Sequence, residues 1–398
     1  MLTPFLPSIE NRKTAEMHKQ ADDLVMACAG LSAGLHPHIL AEIRRVTQLV
    51  NNYYSNLIES EGTHPVDIYR AMQNDFSEQK DKKNKQHLAL AYVQAQNFVY
   101  SSTADFSALE TILAIHAAFY GSPHILEEHR VVVDAQGNRH PVIAGQLRTH
   151  SVEVGVHLAP PPDRLTSLFE LFHQHYQLET NDLGYQKIIK IFAAHHRFMF
   201  IHPFLDGNGR TGRLMTDGML NQVFPNTYGL WSLSRGLARN NDAYKQWLAR
   251  ADQIRQGGLD GRGQRSELGL IEFIQFMINT AKDQVGYMTS MLNLPEFHSR
   301  LKNFVGLSQN NALFETIIPV EMMTLIPTLL VDGCVQKADL PALMGCSERK
   351  ARNVVKQLVT AGLLYDEGKF SPLTLRLPER ALPYIFPDLI PFLSQPTK

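Results

Sequence analysis

The sequence predicts a mainly helical chain with one small β-hairpin and a second, C-terminal unit, and three observations predict it. Long stretches without Gly or Pro carry apolar residues at helical spacing. The β-prone runs are short and isolated around turns, not alternating with helices as in a βαβ sheet. The texture then changes after about residue 290, where Asn293-Leu294-Pro295, Ser308-Gln309 and Pro319 punctuate the chain.

The elements follow in order. From Pro37 to Ile58 apolar residues recur at Ile39, Ile43, Val46 and Val50, the rhythm of an amphipathic helix. Glu61-Gly62-Thr63-His64-Pro65 ends it, because glycine terminates helices and the residue before proline avoids the α region. Lys80 to Lys85 reads as a solvated face or turn, and residues 87–120 are again helical in pattern. Val131-Val132-Val133 and Pro141-Val142-Ile143 flank a Gly137-Asn138 turn, a hairpin signal. Pro160-Pro161-Pro162 closes the extended stretch, and Asp163 is the expected N-cap of a helix with Leu165, Leu168, Phe169, Phe172 and Tyr176 inward. A further helix runs from about Tyr185 to Phe200, with Ile188, Ile191, Phe192 and Phe198 inward, and breaks at Pro203. From Lys337 a helix up to the Gly345 turn precedes a Ser347-capped helix from Glu348 to Ala361. Gly362 ends that helix, and Leu363 to Phe370 is expected to form a small hairpin. No repeat or low-complexity tract interrupts the 398 residues.

Composition narrows the function classes. Lys plus Arg is 38 and Asp plus Glu 39, a formal charge of −1, which excludes a uniformly basic nucleic-acid or membrane coat. Hydrophobic residues make up 44% and charged residues 19%, as in a folded globular chain. Three scattered cysteines, Cys28, Cys334 and Cys346, give neither a disulfide framework nor a zinc ribbon. Residues 1–13 lack the pattern of a secretory signal and no apolar run reaches the ~20 residues of a membrane helix, so a cytoplasmic protein with no membrane partner is expected.

The chemistry concentrates in Ile201 to Leu214. Pro203 ends one helix, and Gly207, Asn208 and Gly209 tolerate φ > 0, so successive N–H groups can curl inward into an anion-binding nest. Leu214, Met215, Met219 and Leu220 mark a new helix starting near Gly209–Gly212, whose N-terminus adds free N–H groups and a positive dipole end to the same spot. Arg210 and Arg213, three residues apart, share its first turn and suit two phosphates, or a phosphate and a carboxylate. Asp206 offers the hard oxygen that Mg²⁺ prefers when it also rides on nucleotide phosphates. His202 is the natural general base. Taken singly these residues would make an ordinary Gly-rich helix cap; within twelve residues they make a phosphate-handling site. A Walker A loop is excluded because no GK[ST] follows the glycines. His195 and His196 lack both HExxH spacing and Cys partners, and are read as structural.

His202 to Arg213 matches H-P-F-x-[DE]-G-N-G-R-x-x-R, and the segment resembles the Fic family, the similarity extending over roughly residues 90–290 and including Gly145-Gln146-Leu147-Arg148-Thr149. The resemblance implies a Fic-type helical core that transfers AMP from ATP to a Ser, Thr or Tyr hydroxyl of a target protein. His202 would deprotonate the hydroxyl, Asp206 would hold Mg²⁺, and Phe204 would anchor the loop. The nest Gly207, Asn208 and Gly209, with Arg210, Thr211 and Gly212, would bind phosphates, and Arg213 would take the γ-phosphate. It also implies a β-hairpin flap for the target, placed within Val152–Ala159, where Val152, Val154 and Val156 alternate with Glu153 and Gly155. Asn240 and Tyr244, spaced i, i+4, fit the family's nucleobase pocket, although a structural tyrosine fits as well. Ser55 and Glu59 match the first part of the [ST]-x-x-x-E-[GN] inhibitory helix, with Ser60 where Gly or Asn is usual, so Glu59 is expected to pair with Arg213 and block productive ATP binding.

The expected domains are an N-terminal helical region with the inhibitory helix (1–90), the catalytic core (91–290) and a unit resembling a winged helix-turn-helix (312–380). In its second helix, Arg349, Lys350, Arg352 and Lys356 contribute to a local excess of seven Lys/Arg over four Asp/Glu between residues 337 and 376. That permits DNA contact, but protein docking fits equally well, and a homodimer is left open. Removal of AMP, another nucleotide or phosphoryl donor, or a nucleotide-sensing transcriptional regulator are the competing readings.

Overall fold

A computed structural model describes residues 2–8, 12–31, 34–134, 136–155, 157–309 and 317–391. The N-terminal helices are α1 (Arg12–Gly30), α2 (Pro37–Ile58), α3 (Pro65–Met72), α4 (Lys80–Ser101) and α5 (Leu109–Tyr120). Two hairpins follow, β1 (Val131–Val133) with β2 (Arg139–Pro141) and β3 (Glu153–Val154) with β4 (His157–Leu158). The central helices are α6 (Leu165–Tyr176), α7 (Gly184–Ile201) and α8 (Asn208–Val223), and α9 (Leu233–Arg239), α10 (Asn241–Ala251), α11 (Glu267–Met291) and α12 (Leu294–Leu307) complete the bundle.

The α7–α8 pair is the axis. Helices α1, α6 and α11 pack on α7, while α2, α4 and α5 pack on α8. The buried aromatics Phe169, Phe172, Phe192, Phe198 and Phe204 sit around that axis, where each fully buried apolar side chain is worth roughly 1.5–3 kcal/mol. Helix α2 has the bounds its periodicity predicts: Ile39, Ile43, Val46 and Val50 are all buried. It starts where Pro37 supplies the first φ and the His36 ring accepts from the His38 amide.

The C-terminal unit runs α13 (Met322–Val331), β5 (Cys334–Val335), α14 (Leu340–Met344), α15 (Glu348–Thr360), β6 (Leu364–Asp366) and β7 (Leu373–Leu375), then a last short helix, α16 (Leu382–Ile385). Its three strands form an antiparallel sheet in the order β5-β7-β6. Gly345 (φ 61°) makes the turn before the Ser347 cap, as the sequence requires. The hydrophobic core passes without a break from the helical bundle into this unit. Residues 312–316 of the expected C-terminal domain lie outside the described residues.

Lys80 to Lys83 is the exposed start of α4, the solvated face that the charge run suggested. Two local expectations need correction. Asp163 does not cap α6, because Pro162–Arg164 already turn as a 3₁₀ helix that leads into it. The second strand of the C-terminal hairpin is Leu373–Leu375, whose buried Leu373 and Leu375 alternate with Thr374, while Lys369 and Phe370 stay exposed in the turn. Among the described residues, no helix is long and apolar enough to cross a membrane.

Candidate active site

Helix α7 ends on His202, which takes a left-handed backbone (φ 50°, ψ 63°). For a residue other than glycine this conformation is strained, and it is held from several sides. Arg148 donates through Nε to the His202 carbonyl (2.8 Å), and its amide donates to the Pro203 carbonyl (2.9 Å). Burial pushes the His202 imidazole down to about 4, helped by the His157 and Arg148 charges and opposed by a hydrogen bond at the Met199 carbonyl and by Asp206. The ring is therefore neutral at physiological pH and able to accept a proton.

The loop after His202 is fastened internally. The Asn208 side chain accepts from the Phe204 amide (2.9 Å) and donates to the Phe204 carbonyl (2.8 Å), closing the curve. Phe204 is fully buried and stacks on His116 at 3.8 Å, an anchor as expected. Gly207 has φ 78° and opens α8, and a Cβ there would lie 2.5 Å from the Tyr120 ring. No other residue type fits. The first amides of α8 have no partners within the helix and follow directly on the loop that begins at His202.

Beneath the loop lies a platform on α5 that the sequence did not disclose. Tyr120 Oη donates to Asp206 Oδ2 (2.7 Å) while the Gly207 amide donates to Oδ1 (2.7 Å). His116 Nδ1 accepts from the Gly145 amide (2.9 Å), so its Nε2–H donates to the Asp206 carbonyl (3.2 Å). Burial holds His116 neutral, down to about 4. Asp206 itself is exposed. Among the described residues no group of three or more His, Cys, Asp or Glu side chains forms a metal cage. A lone, exposed, oriented carboxylate fits Mg²⁺ that draws its remaining ligands from nucleotide phosphates and water.

The two arginines are both occupied by α2. Arg213 donates to Ser55 Oγ (2.8 Å), to the Ser55 carbonyl (2.9 Å) and to Glu59 Oε1 (2.7 Å). Arg210 Nε donates to Asn56 Oδ1 (2.9 Å). Asn56 is a partner missed in the sequence, although its place beside Ser55 was the available signal. Burial works to raise the Glu59 carboxyl, but Arg213 and Arg210 outweigh it and hold Glu59 below the usual carboxylate range. A Cβ on Gly209 would collide with the Glu59 carboxylate, so that carboxylate lies on the N-terminus of α8 itself. Thr211 and Gly212 are buried in the first turn; a Cβ on Gly212 would meet Phe198 of α7 at 2.8 Å.

Asn240 and Tyr244 do not come together. Tyr244 is buried with its Oη 2.7 Å from His195 Nε2, and the Arg213 charge beside it works to lower its phenol against burial. Asn240 is exposed and lines a surface pocket with Trp247 and Phe276. His195 is locked between Thr216 and Tyr244, and His196 between the Leu248 carbonyl and Asp252, structural roles for both. Beside His202, β3 and β4 form a hairpin within Val152–Ala159, with Val154 and Leu158 exposed; Val156 lies outside the described residues. On α15, Lys350 pairs with Glu321 (2.8 Å) and Arg352 with Glu348 (2.7 Å), so two of the four expected cations are already engaged.

Comparison with known proteins agrees with this geometry. Residues 108–220 match the Fic/DOC family model. Over 96 residues the chain is 36% identical to "Protein adenylyltransferase Fic" of Drosophila virilis and of Drosophila mojavensis; the match covers 24% of this chain and 19% and 18% of those proteins. The chain thus spans about a fifth of the length of these curated relatives. In fold it is similar to a Fic family protein from Desulfovibrio desulfuricans (TM-score 0.51, 18% identity, 93% of this chain and 98% of that one). It is also similar to Fic-1 from C. elegans (TM-score 0.52, 16% identity, 70% and 73%). With its amide nest, its histidine at the end of α7 and its paired arginines, the segment from residue 108 to 220 is a Fic/DOC family domain.

Proposed function

We propose that this protein transfers AMP from ATP to a hydroxyl side chain of a target protein and that Glu59 holds the reaction in check. The observation that carries the reading is the placement of a neutral His202 beside an amide nest whose first helical turn carries Arg210 and Arg213. His202 accepts the proton of an incoming Ser, Thr or Tyr hydroxyl. The freed oxygen bonds to the α-phosphorus while the bond to the β-phosphate bridging oxygen breaks, and pyrophosphate leaves with that electron pair. Bound Mg²⁺ would neutralise charge on the phosphates, with Asp206 as its protein ligand. The amides at Gly207–Gly209 and the two arginines align the chain of phosphates, which is most of what this chemistry asks of a protein. The hairpin at 153–158 is the surface against which a target segment would lie.

Glu59 explains the restraint. Arg213 cannot orient the γ-phosphate while it is paired with Glu59 at 2.7 Å. The same carboxylate at the α8 N-terminus is placed to orient a water for the reverse reaction, removal of AMP. The C-terminal unit reads as a winged helix, with Arg349 and Lys356 the cations left for a DNA or protein partner; binding of Arg349→Glu protein to DNA from its own promoter region separates those two. The donor is tested with Glu59→Gly protein and ATP labelled in either the α- or the γ-phosphate. Covalent α-label alone is expected; γ-label alone would replace the reading with kinase action.

A further inference from the structure

Arg148 is almost wholly buried, and all its acceptors in the structure are backbone carbonyls. Its Nε donates to His202 and its Nη1 to His150, at 2.8 Å each, while Nη2 reaches the carbonyls of Pro160 and Ile201. His150 and Pro160 are the two ends of the segment that carries the β3–β4 hairpin. Ile201 is the last residue of α7 and His202 its C-cap, where unpaired carbonyls and the negative dipole end favour a cation. We propose that Arg148 is a positioning residue: one guanidinium fixes the register of the target-binding hairpin against the imidazole that deprotonates the target hydroxyl.

The chemistry of arginine suits this task. Five N–H donors in a rigid plane can serve carbonyls from two segments at once, whereas the single ammonium of lysine cannot span them in fixed geometry. Among the described residues the hairpin has two residue pairs, Glu153 with Leu158 and Val154 with His157, closed by one bond from the Ala159 amide to the Val152 carbonyl (3.2 Å). So short a ladder does not fix its own orientation. A second tie, from His157 Nε2 to the Phe200 carbonyl (2.8 Å), holds the far strand, while Arg148 links both ends of the segment, at His150 and Pro160, to the end of α7. The nest and its arginines are secured separately, by Asn208, Tyr120 and α2. Loss of Arg148 therefore misplaces the acceptor without disturbing the nucleotide.

The inference rests on the proposed AMP transfer, and the test is arranged to separate the two. In a Glu59→Gly background, Arg148→Lys and Arg148→Met are compared with their parent for kcat of transfer to a protein hydroxyl, KM for MgATP, and backbone hydrogen exchange. A displacement of about 1 Å costs on the order of 100-fold in rate. Both variants are expected to lose kcat by roughly that factor, to keep KM for MgATP within about twofold, and to lose exchange protection over residues 150–160 but not 203–213. Rates within about threefold of the parent, or a parallel collapse of MgATP affinity and of protection in the loop, would overturn the assignment. A parent that transfers nothing from ATP would overturn the functional reading, and this inference with it.

Discussion

Replacing Glu59 by glycine removes the carboxylate that now occupies Arg213, and the size of the effect follows from the surroundings of the pair. Arg213 is buried, with a side-chain exposure of 2%, while Glu59 retains 33%. Pulling apart a fully buried charge pair costs about 2–5 kcal/mol. Solvent at the Glu59 side lowers this, so about 1.5–3 kcal/mol is the reasonable range, which corresponds to roughly 10- to 150-fold. Arg213 would remain oriented by Ser55 Oγ and the Ser55 carbonyl, so the substitution frees the cation without unmooring it. The backbone at Glu59 (φ −89°, ψ 11°) at the end of α2 accepts glycine with little loss. The assay is the initial rate of α-labelled AMP incorporation, into the protein itself or an added acceptor, at MgATP below saturation. A rise within the stated range is expected; labelling equal to or below that of the wild type would refute the reasoning.

Other consequences are equally checkable. Gly207→Ala is expected to abolish transfer and lower the melting temperature, since a left-handed non-glycine residue costs about 1–3 kcal/mol before the collision with Tyr120 is counted. Arg45→Ala takes the shared cation from buried Glu42 and Glu379 but leaves Glu42 with Arg376 at 3.5 Å and the Leu377 amide, so a loss of about 3 kcal/mol, the low end for a broken buried pair, is expected in denaturant unfolding, with earlier proteolysis between α2 and the C-terminal unit. The pH dependence has a definite sign. Burial lowers His116 to about 4, His195 to about 3 and His202 to about 4, so the stability they contribute is complete above pH 6.5 and lost as pH falls towards 4. Asp217, raised by burial to about 6, works the other way and loses its contribution as pH rises through 6. Melting temperatures between pH 4 and 7 should fall on the acid side, and the acid limb of kcat/KM in the Glu59→Gly protein should lie well below 6.5.

Much of this site was legible because its parts are neighbours in the chain. Pro203, the glycines, Asn208 and the arginines lie within one loop, and each announces its conformation or charge by residue type. Helix α2 was equally plain, bounded by Pro37 and Gly62 and filled with one apolar stripe. What the sequence hid are contacts made across long separations. Tyr120 lies 86 residues from Asp206, Asn51 lies 166 from Asp217, and Arg148 reaches 54 residues to His202. None of these side chains sits in a local pattern that distinguishes a buried hydrogen bond from an ordinary helix or loop position. For Tyr244 the spacing left a structural role open, and α10 turns its ring inward against His195 while Asn240 stays at the surface. The strand at Leu373–Leu375 was readable from its apolar alternation, but the nearer Lys369-Phe370 pair drew the expectation to the wrong side of the turn.

The claim on which the rest depends is that His202 draws a proton from an alcohol while the adjoining loop grips ATP. Intact-mass spectrometry of Glu59→Gly and of Glu59→Gly/His202→Ala protein after incubation with MgATP addresses it most directly. The account predicts one or more added AMP moieties on the first protein and none on the second. Unmodified mass in both, although each binds MgATP, or equal modification of both would contradict it.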